Sequence, residues 1–221
     1  MVAGRIVVLN PNANPEVTRG LDAAVAPLRF AGGPEIVCET LEEGPFGIEH
    51  QAEVDAVALP LARRVAAGDA DAWVVACFAD PGLAACREVA RAPVFGIAES
   101  GMFAALQRGE RPGVVAMSRR AVPRHRRHRR MLGVDDRIVG ERALELTVGE
   151  LQDETATWRR LADVALELRE EDEADVIVLG CAGLSRYRHR LEHELGVPVI
   201  DPTLAAVATA LGVAATATAQ A

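Results

Sequence analysis

The chain has 221 residues, half of them hydrophobic and a quarter charged, with a formal net charge of −8. That length can bury a full core, and the acidic balance argues against a general nucleic-acid or membrane-surface role. No apolar run approaches the roughly 20 residues that cross a bilayer, and Met1 to Arg5 runs into a strand without a leader pattern, so a cytoplasmic setting is expected.

Strand-like runs and helical patterns alternate along the whole chain, which predicts a parallel α/β architecture. The first strand is Arg5 to Leu9, ending in Asn10-Pro11-Asn12. A helix over 15–29 follows, with Asn14 as its N-cap, Pro15 in the first turn and Glu16 complementing the dipole. A second strand over 35–39, a loop through Gly44-Pro45, and a long helix over 49–67 come next. The apolar run Ala72 to Ala76 is the third strand and delivers Cys77. A helix over 81–90 and the strand 94–97 complete the first half.

The second half repeats this order. Its strands are predicted at 113–118, 137–141, 176–180 and 199–201, with a long helix over 155–170 before the third. From the end of the first strand to the cysteine is about the same distance in each half, Asn10 to Cys77 and Ser118 to Cys181. A fixed internal spacing of this kind is the signature of a duplicated unit. The segment 99–111 and the final helix from Thr203 are expected to cross between the halves, and the tail from Ala214 to be frayed. The division expected is one lobe of residues 1–98 plus 203–221 with the first cysteine, and a second lobe of residues 99–202 with the other.

In open parallel sheets ligands bind outside the carboxyl ends of the strands, where Asn10, Cys77, Ser118 and Cys181 all fall. A thiol beside a helix start is expected to have a lowered pKa. Two thiols facing one carbon from opposite sides can remove a proton and return another, inverting the centre without a cofactor. Backbone N–H groups at Phe78-Ala79 and Ala182-Gly183 would receive the developing enolate oxygen, with Asn10 and Ser118 fixing the substrate. Asp80, after the first cysteine, and Glu99, after the fourth strand, are read as acids standing behind the site; Glu99 reads equally as a helix N-terminal charge.

The other candidates read as structure. Cys38 in a strand and Cys86 in a helix are small apolar residues, and no cysteine spacing matches a metal knuckle. The pairs His125/His128 and His189/His193 read as solvated helix faces, as does the basic run from Arg119 to Arg130, which acids of a neighbouring subunit would meet. Anion attraction and nucleic acid are the alternatives for that run, and no aromatic interleaving supports the second. Every basic side chain is arginine, since the chain has no lysine. The turn after the first strand lacks G-x-G-x-x-G, which excludes a dinucleotide site of that type. No G-x-S-x-G supports a serine hydrolase.

Four segments carry a resemblance: Asn10-Pro11-Asn12, Cys77-Phe78-Ala79-Asp80-Pro81-Gly82-Leu83, Gly96-Ile97-Ala98-Glu99 and Leu179-Gly180-Cys181-Ala182-Gly183. In these the chain resembles the aspartate/glutamate racemase superfamily, and within it the hydantoin and allantoin racemase branch. The resemblance implies two pseudo-symmetric lobes, each with a four-stranded parallel sheet flanked by helices, and an active site in the cleft between them. It implies Cys77 and Cys181 as the two bases, no metal or cofactor, and a homo-oligomer. The substrate would be a small molecule, a 5-substituted hydantoin or allantoin, with no nucleic-acid or membrane partner. The family usually has Gly at Ala79, a Thr or Ser at Ala13, and a threonine pair where Met117 and Ser118 stand. An amino-acid racemase, a maleate cis-trans isomerase, an arylmalonate-type decarboxylase and a non-catalytic binding protein on the same scaffold are the competing readings.

Overall fold

Residues Ile6 to Leu9 are all buried, and they explain the first sheet. In a strand, successive side chains point to opposite faces. Ile6 and Val8 pack on one side with Leu21, Val25, Ala206, Val207 and Ala210. Val7 and Leu9 pack on the other with Val57, Leu61, Val65, Leu83 and Cys86. A strand covered on both faces reads as a continuous apolar run.

The computed structural model describes residues 4–147 and 149–218. The first sheet has the order β2-β1-β3-β4, from Glu35–Thr40, Arg5–Asn10, Ala72–Val75 and Val94–Gly96. The second has the order β6-β5-β7-β8, from Gly140–Ala143, Pro112–Ala116, Val176–Leu179 and Val199–Ile200. All pairings are parallel. The two halves therefore have one topology used twice, a two-lobed α/β fold.

Helices α1 (Pro15–Val25), α2 (Gln51–Ala56), α3 (Ala58–Ala66) and α4 (Leu83–Val89) flank the first sheet. Around the second lie α5 (Ile97–Leu106), α6 (Val122–Leu132), α7 (Glu154–Glu170) and α8 (Arg188–Leu195). The last helix, α9 (Pro202–Thr218), returns to the first sheet and packs against α5. Apolar α5 side chains Ala98, Met102 and Ala105 join Val114, Val176 and Val178 of the second sheet. Chain leaving each half thus covers the other.

Local chemistry moved several boundaries. The helix expected over 49–67 is divided at Val57. Pro60 has no N–H for the carbonyl one turn before it, which breaks the ladder there. The helix after Cys77 starts late because Asp80 (φ 43°) and Gly82 (φ 63°) are both left-handed. A Cβ on Gly82 would lie 2.7 Å from Ala58 Cα. Strand β6 begins at Gly140, not 137, because Asp135–Arg137 forms a 3-10 turn. Arg126, Arg129 and Arg130 all hold Asp135 there. Helix α9 continues through Ala214 to Thr218, and residues 219–221 of the tail lie outside the described part.

The two interlobe helices are capped differently. Asp201, just before α9, accepts the N–H of Thr203 (2.8 Å) and Leu204 (3.2 Å) on its own Oδ1. Gly96, just before α5, has no side chain for this task. Asp80 reaches in from the Cys77 turn, accepting the N–H of Ala98 (2.8 Å) and Glu99 (2.9 Å). A Cβ at Gly96 would overlap that carboxylate. Asp80 also meets His128 Nε2 at 3.1 Å, so it ties the first cysteine turn to α5 and α6. Asp80→Ala strips a buried cap from two N–H groups, which costs about 2 kcal/mol. For a chain this size that lowers Tm by roughly 4–8 °C, which calorimetry reads directly; an unchanged Tm contradicts the role.

Candidate active site

Cys77 and Cys181 occupy equivalent turns. In each, the residue three on bonds back to the cysteine carbonyl: Asp80 N–H to Cys77 O at 2.9 Å and Leu184 N–H to Cys181 O at 3.1 Å. In each, the residue two on points its N–H at the sulfur, Ala79 to Cys77 and Gly183 to Cys181. The second turn then enters a 3-10 helix, Ala182–Tyr187, before α8. Close approach fixes its base: Gly180 N–H reaches Val115 O at 2.7 Å, and a Cβ there would strike that oxygen.

Both thiols open on one cavity of about 350 Å³ between the lobes, a size suited to a small ring compound. Of the residues anticipated at the site, Cys77, Phe78, Ala79, Met117, Ser118, Cys181, Ala182 and Gly183 line it. Three do not. Asn10 is fully buried, and its amide donates to Asn12 Oδ1, Asn14 O and Thr18 Oγ1 at 3.0–3.1 Å. It builds the turn, and Asn12 is the residue of that turn that reaches the cavity. Asn12 Oδ1 accepts from Asn10 Nδ2 and from Asn14 N–H, so the amide orientation is set and Nδ2 is the end without a hydrogen-bond partner among the described residues. Asp80 is the cap described above. Glu99 pairs with Arg87 and lies near Gly96 N–H.

The electrostatics reverse one expectation. The thiols are not acidified. Burial pushes Cys77 up to about 12; the Ala79 N–H and the charge of Arg124 pull it down, while Cys181 and Asp80 add to the rise. Burial pushes Cys181 up to about 11, against the Gly183 N–H and together with Glu49. One N–H at a short turn does not replace the water a thiolate loses. The N–H groups of Ala79 and Gly183 are also committed to sulfur, so they are not open enolate donors.

The basic run is more than a solvated face. His125 is buried, with Nδ1 at 2.5 Å from Glu141 Oε1, and its ring meets Phe78 edge-on at 5.2 Å between centroids. Arg129 is buried between Asp135 and Glu141. His128 holds Asp80, and Arg127 reaches Gln51 of the opposite lobe at 2.8 Å. Arg120, Arg124 and His125 line the cavity. A solvated-face reading does hold for His189 and His193, which are exposed. The remaining walls, including Glu49, His50, Glu145 and Thr147, come from loops after β2 and β6, which carry no motif.

Known proteins resemble this chain over most of its length. The profile of the family Asp/Glu/Hydantoin racemase matches residues 6–210. A hydantoin racemase of Paenarthrobacter aurescens is 35% identical over 211 residues, covering 91% of this chain and 87% of the relative. One of Pseudomonas sp. (strain NS671) is 34% identical over 208 residues, covering 92% and 83%. An allantoin racemase from Klebsiella pneumoniae superposes with a TM-score of 0.92 at 32% identity, covering 97% of this chain and 89% of that one. No helix among the described residues is long and apolar enough to cross a membrane.

Proposed function

The chain belongs to the Asp/Glu/Hydantoin racemase family and is a racemase, and from that premise we propose that Cys77 and Cys181 invert the C5 centre of a 5-substituted hydantoin or related ureido ring, without a cofactor. One observation carries the reading: two thiols on equivalent turns of two equivalent sheets open on a single cavity. The hydantoin C5–H lies between a carbonyl and a ring nitrogen, so its carbanion spreads onto the carbonyl oxygen as an enolate. A thiolate on one face takes the proton, and the thiol on the other face supplies one. The reverse direction exchanges the roles.

The enolate needs hydrogen-bond donors placed in advance. The Asn12 Nδ2 group, the Ser118 hydroxyl and the backbone N–H groups of Phe78 and Ala182 are the candidates, since all four residues line the cavity. Met117 supplies an apolar wall. The reading includes a cytoplasmic setting, a small-molecule substrate, and a homo-oligomer that sedimentation velocity would detect. It also includes the division into residues 1–98 plus 203–221 and residues 99–202.

The test is hydrogen exchange at carbon in D₂O by NMR, with optical rotation followed in parallel. The panel is single enantiomers of 5-substituted hydantoins and of allantoin, with aspartate, glutamate and maleate alongside. Deuterium incorporation with loss of rotation on a hydantoin or allantoin is the expected result. Turnover of an amino acid or maleate alone would remove the hydantoin assignment.

A further inference from the structure

Seven arginines lie between Arg119 and Arg130. Five have partners: Arg119 with Glu145, Arg126 and Arg130 with Asp135, Arg127 with Gln51, and Arg129 with Asp135 and Glu141. Arg120 and Arg124 have no hydrogen-bond or ion-pair partner among the described residues, and both line the cavity that holds the thiols. Arg124 is half-buried, and its Nε is shielded from solvent without an acceptor. A guanidinium nitrogen shielded from water without an acceptor is costly. Such a side chain is retained where something else supplies the acceptor.

We propose that Arg124, with Arg120 at the mouth, selects a substrate whose 5-substituent carries an anionic group, a carboxylate being the simplest. The proposal rests on the racemase reading and narrows it. The cavity is electrically asymmetric. Arg124 acts on Cys77, and Glu49 acts on Cys181 at the other wall. Glu145 also lines the cavity but is engaged by the Arg119 guanidinium and backbone N–H at 3.2 Å. Glu141 and Glu53 act on Arg124 only through space, with no hydrogen bond or ion pair to it among the described residues, so its guanidinium is open to an anion. A planar guanidinium receives a carboxylate in a bidentate pair.

The test compares 5-(2-carboxyethyl)hydantoin with its uncharged isostere, 5-(2-carbamoylethyl)hydantoin, in the native chain, Arg124→Gln and Arg124→Lys. In the native chain kcat/KM favours the carboxylate by about 50-fold, the scale of one charge-assisted pair. Arg124→Gln brings that ratio close to one, and Arg124→Lys restores part of it. If Arg124 served only Cys77, Arg124→Gln would lower both substrates equally, and that outcome overturns the proposal. A native ratio near one overturns it too. A second readout works without turnover: slowing of Cys77 alkylation by iodoacetamide when each compound is added. Protection by the carboxylate alone, lost in Arg124→Gln but with no racemisation, keeps the anion site and removes the racemase reading. Neither protection nor turnover removes the anion site as well.

Discussion

Cys181→Ser abolishes racemisation, by about 10³-fold or more, yet continues to exchange the C5 hydrogen of one enantiomer with D₂O. Cys77→Ser does the same for the opposite enantiomer. General acid–base groups contribute roughly 10² to 10⁴ each, so loss of either thiol removes inversion. Removal of a proton requires only the base on that proton's face. The remaining thiolate can abstract, lose its proton to solvent, and return deuterium to the same side, leaving the configuration unchanged. The double variant, Cys77→Ser with Cys181→Ser, is silent in both assays. Following deuterium by NMR and configuration by chiral chromatography on each pure enantiomer separates these cases. Exchange of both enantiomers by a single variant would mean one group serves both faces, and the two-base assignment would fall.

Much of the architecture is legible in the sequence because it follows from repetition. Strands buried on both faces read as short apolar runs, and the two runs before Cys77 and Cys181 lie at the same place in equivalent sheets. Proline and glycine punctuation located most helices, but boundaries shifted where an interaction from elsewhere intervened. Strand β6 waits for the turn held by three arginines on Asp135. Asn10 and Asn12 are two residues apart in one turn, and only packing decides that the first is buried and the second reaches the cavity. The arginine run illustrates the limit further. Composition suggests a solvated face, but helical spacing turns Arg124 and His125 toward the site while Arg126 and Arg130 face solvent. Nothing local to the sequence reveals that Glu141, on a neighbouring strand, waits for His125 and Arg129. The expected thiol acidity failed for a related reason. Motif spacing reveals a nearby N–H, whereas burial depends on the opposite lobe.

That reversal sets the pH dependence. With Cys77 near 12 and Cys181 near 11, the resting pair at neutral pH holds both protons. Catalysis needs one thiolate and one thiol, so kcat/KM rises close to tenfold per pH unit from pH 7 toward 10. It falls only when the second thiol also ionises. Alkylation of Cys181 by iodoacetamide at pH 7 runs roughly 10- to 30-fold slower than that of an ordinary free thiol, because a pKa about two and a half units higher cuts the thiolate fraction more than it raises each thiolate's nucleophilicity. A rate that levels off by pH 8 would show acidified thiols instead. The same shift enters folding stability with a definite sign. A thiol whose pKa is raised in the folded state favours folding of the protonated form. Its contribution is intact below the unfolded value near 8.5 and is lost as pH rises through 11 to 12. Cys181→Ser removes one such group, so its Tm declines less between pH 9 and 11 than that of the native chain. A stronger base at rest in its protonated form also suits the reaction. Few sites hold a thiolate at any moment, but each that does takes a proton from carbon more readily than an acidified thiolate would.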